Sequence, residues 1–159
     1  MTEEIEIKSV PGMRIASHTG RGMPFQETVP KAFGGLMGWM EAKSVQMDMN
    51  GVSGIAEYYD DPATTAPDQV KFKVGVPVPA DTETTSEGEA AIEDVAPTVA
   101  AVLRFTGGYD DLTDRYKAVM GFVMSEGLKM TGPPRELYVK YVEDKPEEWI
   151  TEIQFPIER

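Results

Sequence analysis

The sequence predicts an α+β fold in which a β-α-β-β unit occurs twice. Three observations predict it. "IASHTGRG" (15–22) and "VLRFTGGY" (102–109) share Thr-Gly at 19–20 and 106–107. Each is followed by a stretch of helical periodicity and then by two runs of strand character, so the order of elements repeats along with the motif. Between the halves lies "ADTETTSEGEAAIED" (80–94), with the Thr, Ser, Gly and Glu content of a loop. The expected layout is a single domain over 1–159, with repeat 1 at about 3–79, an acidic linker at 80–94 and repeat 2 at about 95–159.

The Thr-Gly segments open the repeats as strands. The first helix is expected over "VPKAFGGLMGWMEA" (29–42), although Gly34, Gly35 and Gly38 fall inside it. Each costs about 1 kcal/mol relative to alanine in a helix interior. Close packing on a sheet explains them, and so does a loosely held helix that shifts to admit a ligand. In the second case Phe33, Leu36, Met37, Trp39 and Met40 form an adaptable aromatic wall. The strands "GIAEYYD" (54–60) and "VKFKVGVPV" (70–78) complete the first repeat.

In the second helix (112–127), Leu112, Tyr116, Val119, Met120 and Val123 recur at three- and four-residue spacing. Asp110 and Asp111 favour its N-terminus, and Gly127 can close it. The last strands are "RELYVKYV" (135–142) and "EWITEIQFPI" (148–157), the latter opened by Trp149 as an edge anchor. Alternation in the former puts Leu137, Val139 and Tyr141 on one face and Glu136, Tyr138 and Lys140 on the other. With two helices covering one face of an antiparallel sheet, the apolar set is expected to meet them. Glu136 and Tyr138 are then left on the far face, or in a cleft where the repeats meet.

Composition excludes several functions. A chain of 159 residues, 41% hydrophobic, can bury a core and is not disordered. Its net charge of −12 argues against nucleic-acid binding, which draws most of its affinity from a basic surface. Half of that charge sits in 80–94, on Asp81, Glu83, Glu87, Glu89, Glu93 and Asp94 with no basic residue among them, so it says little about a ligand. Cysteine is absent and His18 is the only histidine, which removes thiolate and His-based metal sites and leaves little for a catalytic triad. His18 reads as a satisfied strand histidine. The acidic pairs Asp60-Asp61, Asp110-Asp111 and Glu147-Glu148 diverge on any regular element and read as turn and cap residues. "TGRGMP" and "TGGYDD" lack the spacing and lysine of a phosphate loop. No metal and no cofactor are expected. No apolar run approaches the ~20 residues that cross a bilayer. "MTEEIEIKSV" has neither the basic start nor the apolar stretch of a signal peptide, so a cytoplasmic location is expected.

Several of these segments carry a family resemblance. "FTGGYDDLTDRYKAVMGFVMSEGL" (105–128), "GPPRELYVKY" (132–141) and "TEIQFPI" (151–157), with "GIAEYYDDP" (54–62) and "FKVGVPV" (72–78), resemble the GyrI-like small-molecule-binding family. That family includes effector-binding domains of MerR- and AraC-type multidrug regulators as well as stand-alone members. The resemblance implies a duplicated β-α-β-β fold with a ligand cleft between the repeats. It also implies a cleft glutamate among aromatic side chains that receives lipophilic cations. By motif position Glu136 is that glutamate and Tyr138 its strand neighbour. Tyr58 or Tyr59 is the first-half counterpart, and Tyr109, Phe33 and Trp39 complete the expected ligand-binding set. No helix-turn-helix precedes the motifs, which fits a stand-alone member.

A carboxylate in an apolar cleft is costly when ionised, and an entering organic cation relieves that cost. Aromatic faces add cation–π attraction of about 0.5–2 kcal/mol each. Met37, Met40, Met120 and Met124 suit a pocket that repacks, or simply fill a core. The leading expectation is a binding module for amphipathic, cationic small molecules. An alternative is a hydrolase of small strained compounds with Glu136 as general base, as the resemblance implies for some members. The third is a protein partner, in a gyrase-inhibitor-like role.

Overall fold

A computed structural model describes residues 4–61 and 63–158 of the chain. In chain order its elements are β1 (Ile5–Val10), β2 (Met13–Arg21), α1 (Phe25–Lys43), β3 (Gly54–Tyr58), β4 (Lys71–Pro77), β5 (Thr85–Glu87) and β6 (Ala90–Val95). Then follow β7 (Thr98–Thr106), α2 (Leu112–Ser125), β8 (Lys129–Met130), β9 (Arg135–Lys140) and β10 (Ile150–Glu158). The fold is α+β, with antiparallel strands and two helices. It divides into two compact units, Gly12–Ala96 and Met1–Pro11 with Pro97–Arg159.

In the Gly12–Ala96 unit the strands run β3-β4-β2-β6-β5. In the other they run β9-β10-β7-β1, with β8 pairing the end of β10. The order is therefore the same up to the fourth strand. β1 directly precedes β2 in sequence yet pairs β7, and β6 directly precedes β7 yet pairs β2. β1 pairs β7, placing Ile5 opposite Leu103 and Ile7 opposite Ala101, whereas β6 pairs β2. Neither β1 nor β6 was among the elements expected from the sequence.

The expectation that 80–94 is a loop needs correction. β5 and β6 form a hairpin turned at Gly88, whose φ of +61° favours glycine, and β6 joins β2. Ala90 and Ile92 are buried. Their alternation with Ala91 and Glu93 is a strand pattern, which the high acid content of the segment obscured.

Each helix rests on strands of its own unit. Along α1, Ala32, Leu36 and Met40 are buried at spacings of four. Only one of its three glycines is at a close approach: a Cβ at Gly35 would lie 3.3 Å from His18 Nε2, while none would meet an atom within 4 Å at Gly34 or Gly38. Along α2, Val119 and Val123 are buried, and Gly127 follows it at a φ of +64°. Met120, expected on the apolar stripe, is exposed instead. Residue 62, within one of the motifs quoted above, lies outside the described residues.

Candidate functional site

The Pro97–Arg159 unit places Glu136 and Tyr138 under α2. The core below that helix consists of Ala101, Leu103, Phe105, Val119, Val123, Ile153, Phe155 and Ile157. Register sets Glu136 opposite Ile153 and Tyr138 opposite Thr151, so both belong to the face that α2 covers. This reverses the sequence expectation, in which Leu137, Val139 and Tyr141 met the helices. Alternation within a strand says which residues share a face, not which face is covered. β10 held the missing signal, because Ile153, Phe155 and Ile157 alternate there with Glu152 and Gln154.

Glu136 is 4% exposed. Its carboxylate accepts from the Tyr116 hydroxyl at 2.6 Å and from the Tyr138 hydroxyl at 3.0 Å. Hydrogen bonds to a charged group contribute about 1.5–3 kcal/mol each, which helps offset the cost of burying the carboxylate. Tyr116 was read only as part of an apolar stripe. Its ring does pack there, 5.9 Å from Phe155, but the hydroxyl reaches the strand. A tyrosine within a valine-lined helical stripe was the signal for a buried polar partner.

Aromatic rings continue outward from this pair. Tyr138 lies 6.5 Å from Tyr109, Tyr109 lies 5.3 Å from Trp149, and Trp149 stacks on Tyr141 at 5.2 Å. The Tyr109 hydroxyl is 3.2 Å from Thr151 Oγ1, and Trp149 Nε1 donates to the Val142 carbonyl at 2.8 Å. Burial pushes the Tyr109 phenol up; the Thr151 bond opposes this and the Glu136 charge adds to it. The phenol therefore stays protonated at neutral pH. Tyr141 is 56% exposed and lies beyond the end of β9, so its expected core position is corrected as well. The Arg115 guanidinium lies 4.1 Å from the centre of the Phe105 ring, which packs 6.1 Å from Tyr109.

The remaining candidates belong to Gly12–Ala96. Tyr58 shares its face with Phe72, the register partner opposite it, and both rings pack on Phe25 at the start of α1. Phe33 lies against Gly54, where a Cβ would come within 3.4 Å of its ring. Tyr59 follows the end of β3 and has the Lys71 ammonium 5.8 Å over its ring. Burial raises its phenol, as does the charge of Glu57. Trp39 lines a separate cavity with Ile92. Of the methionines offered as a repacking wall, Met40 is buried, whereas Met37 and Met120 are exposed and Met124 is 73% exposed. Three of the four therefore fill neither a core nor an enclosed wall.

In each unit a charged network lies on the strand face away from the helix. In the unit of Met1–Pro11 and Pro97–Arg159, Glu152 accepts from Arg104, Gln154 and Lys8, while Arg135 donates to Gln154. Burial alone would raise the Glu152 carboxyl, but Gln154, Arg104 and Lys8 together hold it below its usual range. In Gly12–Ala96, Glu93 accepts from Ser17 and from Lys73, the latter at 3.0 Å. Burial lowers the Lys73 ammonium, but Glu93 together with Tyr59 and Glu57 more than offsets this, so it sits above its usual value. Asp60 and Asp61 act in turns, accepting from the backbone amides of Lys71 and Ala63. His18 Nδ1 lies 2.8 Å from the Thr19 carbonyl. Among the described residues no group of three or more metal-ligating side chains converges, and no helix is long and apolar enough to cross a membrane.

The GyrI-like small molecule binding domain matches residues 3–158, nearly the whole chain. The chain belongs to that family. DNA gyrase inhibitor 1 of Dickeya dadantii (strain 3937) is 28% identical over 138 residues, covering 85% of this chain and 87% of the relative. Among solved structures, EcmrR in complex with DNA gives a TM-score of 0.81 at 22% identity, covering 99% of this chain. This chain spans only 58% of that one. The EcmrR C-terminal domain alone gives 0.71 at 20% identity, covering 100% of this chain and 99% of that one. SAV2435 bound to tetraphenylphosphonium shares the fold at a TM-score of 0.55 and 10% identity, covering 99% of this chain and 94% of that one.

Proposed function

We propose that this GyrI-like domain binds amphipathic organic cations, with Glu136 receiving the charge and the rings of Tyr138, Tyr109 and Trp149 receiving the flat surfaces. The observation that carries the reading is a nearly fully buried carboxylate that accepts from two phenols. An organic cation adds the attraction that burial makes strong, and the rings add cation–π attraction. The tetraphenylphosphonium found in SAV2435 is a cation of this kind. The role is sensing or sequestration of such compounds in the cytoplasm, with no direct contact to nucleic acid.

The test is calorimetric titration of wild type and Glu136→Gln with tetraphenylphosphonium and with neutral triphenylphosphine oxide. Wild type is expected to bind the cation in the micromolar range. The variant is expected to lose about tenfold or more for the cation, near 1.4 kcal/mol, and little for the neutral compound. Equal losses for both, or no loss, would overturn the reading. In a hydrolase, Glu136 would instead act as general base on a water. Mass spectrometry of a panel of recovered cationic esters and cyclopropanes separates the two, because a binder returns its ligands unchanged.

A further inference from the structure

The acidic hairpin β5–β6 has a second consequence in the Gly12–Ala96 unit. Ile92 of β6 lies opposite Ala16 of β2, and His18, two residues along, is the residue under Gly35 of α1. The helix therefore rests on β2 and β4, and its C-terminal end overhangs the outer part of the same sheet face. A cavity of about 310 Å³ opens there. Its apolar walls are the Trp39 indole, Val45 and Ile92, and its polar rim holds Thr82, Thr85, Glu83, Glu87 and Lys43.

We propose that this cavity is a binding site for a small aromatic ammonium, separate from Glu136. Size sets the first limit: ligand pockets span about 300–1,000 Å³, so a cavity at the low end suits one or two rings. Charge sets the second. The rim carries two carboxylates and one ammonium, and Lys43 already pairs with Glu87 at 2.8 Å. The net charge of −1 favours a monocation, and the surrounding acidic segment reinforces that sign. Trp39 supplies the ring face, since tryptophan is the strongest aromatic partner for a cation.

The hairpin wall is also held in place before any ligand arrives. Arg14 clasps Asp94 through Nε and Nη2 at 2.9 and 3.1 Å, and its Nη1 donates to the Thr82 carbonyl at 2.7 Å. Such fixing lowers the ordering cost of binding. It gives the concentrated acidity of 80–94 a local use.

The chain's two tryptophans, Trp39 and Trp149, allow a direct test. In Trp149→Phe, emission comes from Trp39 alone. Titration with 2-phenylethylammonium is expected to give a saturable emission change. Neutral 2-phenylethanol is expected to bind about fivefold or more weakly, and so is the ammonium to a Glu83→Gln/Glu87→Gln variant in the same background. Glu136→Gln is expected to leave this titration unchanged, which separates the outcome from that of the Glu136 reading. Ligand-observed NMR with Trp39→Leu, checked for folding by circular dichroism, supplies a second readout and should show binding lost. No saturable change, equal affinity for the neutral compound, or loss on Glu136→Gln would each overturn the proposal.

Discussion

The two units order their strands alike but treat the face under the helix differently. In Pro97–Arg159 the strand after the helix carries Glu136, two residues before Tyr138, opposite Ile153. In Gly12–Ala96 the matching strand carries Ala56, two residues before Tyr58, opposite Val74. One helix–sheet interface therefore encloses a carboxylate held by two phenols, while the other is packed with Phe25, Tyr58, Phe72 and Val74. The difference lies in α2 as well as in the strand, because Tyr116 supplies the second hydroxyl. A buried charge is tolerable only where both neighbours bring donors to it.

The sharpest way to break this contrast is to move the carboxylate. Ala56 is 0% exposed, so Ala56→Glu should destabilise the fold by about 3–5 kcal/mol, the cost typical of an unpaired buried charge. Urea denaturation measures this. A cost below about 1 kcal/mol would mean the interface under α1 accommodates charge as readily as the one under α2.

A smaller effect concerns the opposite face. The folded-state carboxyl of Glu152 lies below its ordinary value of 4.5. Its contribution is therefore fully present above that value and is lost as pH falls toward and through the folded pKa. Glu152→Gln should cost about 1–3 kcal/mol at pH 7 and flatten the loss of stability between about pH 5 and 3. Thermal melts across that range check both statements. A variant with an unaltered acid limb would show that Glu152 does not drive the loss.

The smallest expected effect compares neighbouring glycines of α1. Gly34→Ala has open space for its Cβ and should stabilise by about 0.5–1 kcal/mol. Gly35→Ala meets His18 at 3.3 Å and should gain less or lose stability. Equal gains at the two positions would show that the helix does not rest closely on His18.

Much of this was legible in the sequence. The two helices, the strand pairs after them and the α+β class followed from periodicity, because apolar residues at spacings of two, or of three and four, leave few other ways to bury a core. Glu136 and Tyr138 stood out by motif, and they do lie together with Tyr109. The acidic segment was misread because composition weighs charge, whereas Ala90 and Ile92 needed only one buried face to form a strand. Tyr116 was missed because a helical stripe shows where a ring points but not what its hydroxyl meets.

Sequence by itself determined the two helices, the strand pairs that follow them and the lack of cysteine for thiolate chemistry, all of which depend on residue type and local spacing. Tertiary structure decided that β1 joins β7 while β6 joins β2, and that Glu136 faces α2. Those outcomes depend on which strand becomes the neighbour and in what register. Pairings between residues as distant as Ile5 and Leu103, or His18 and Ala90, leave no periodic trace in either partner.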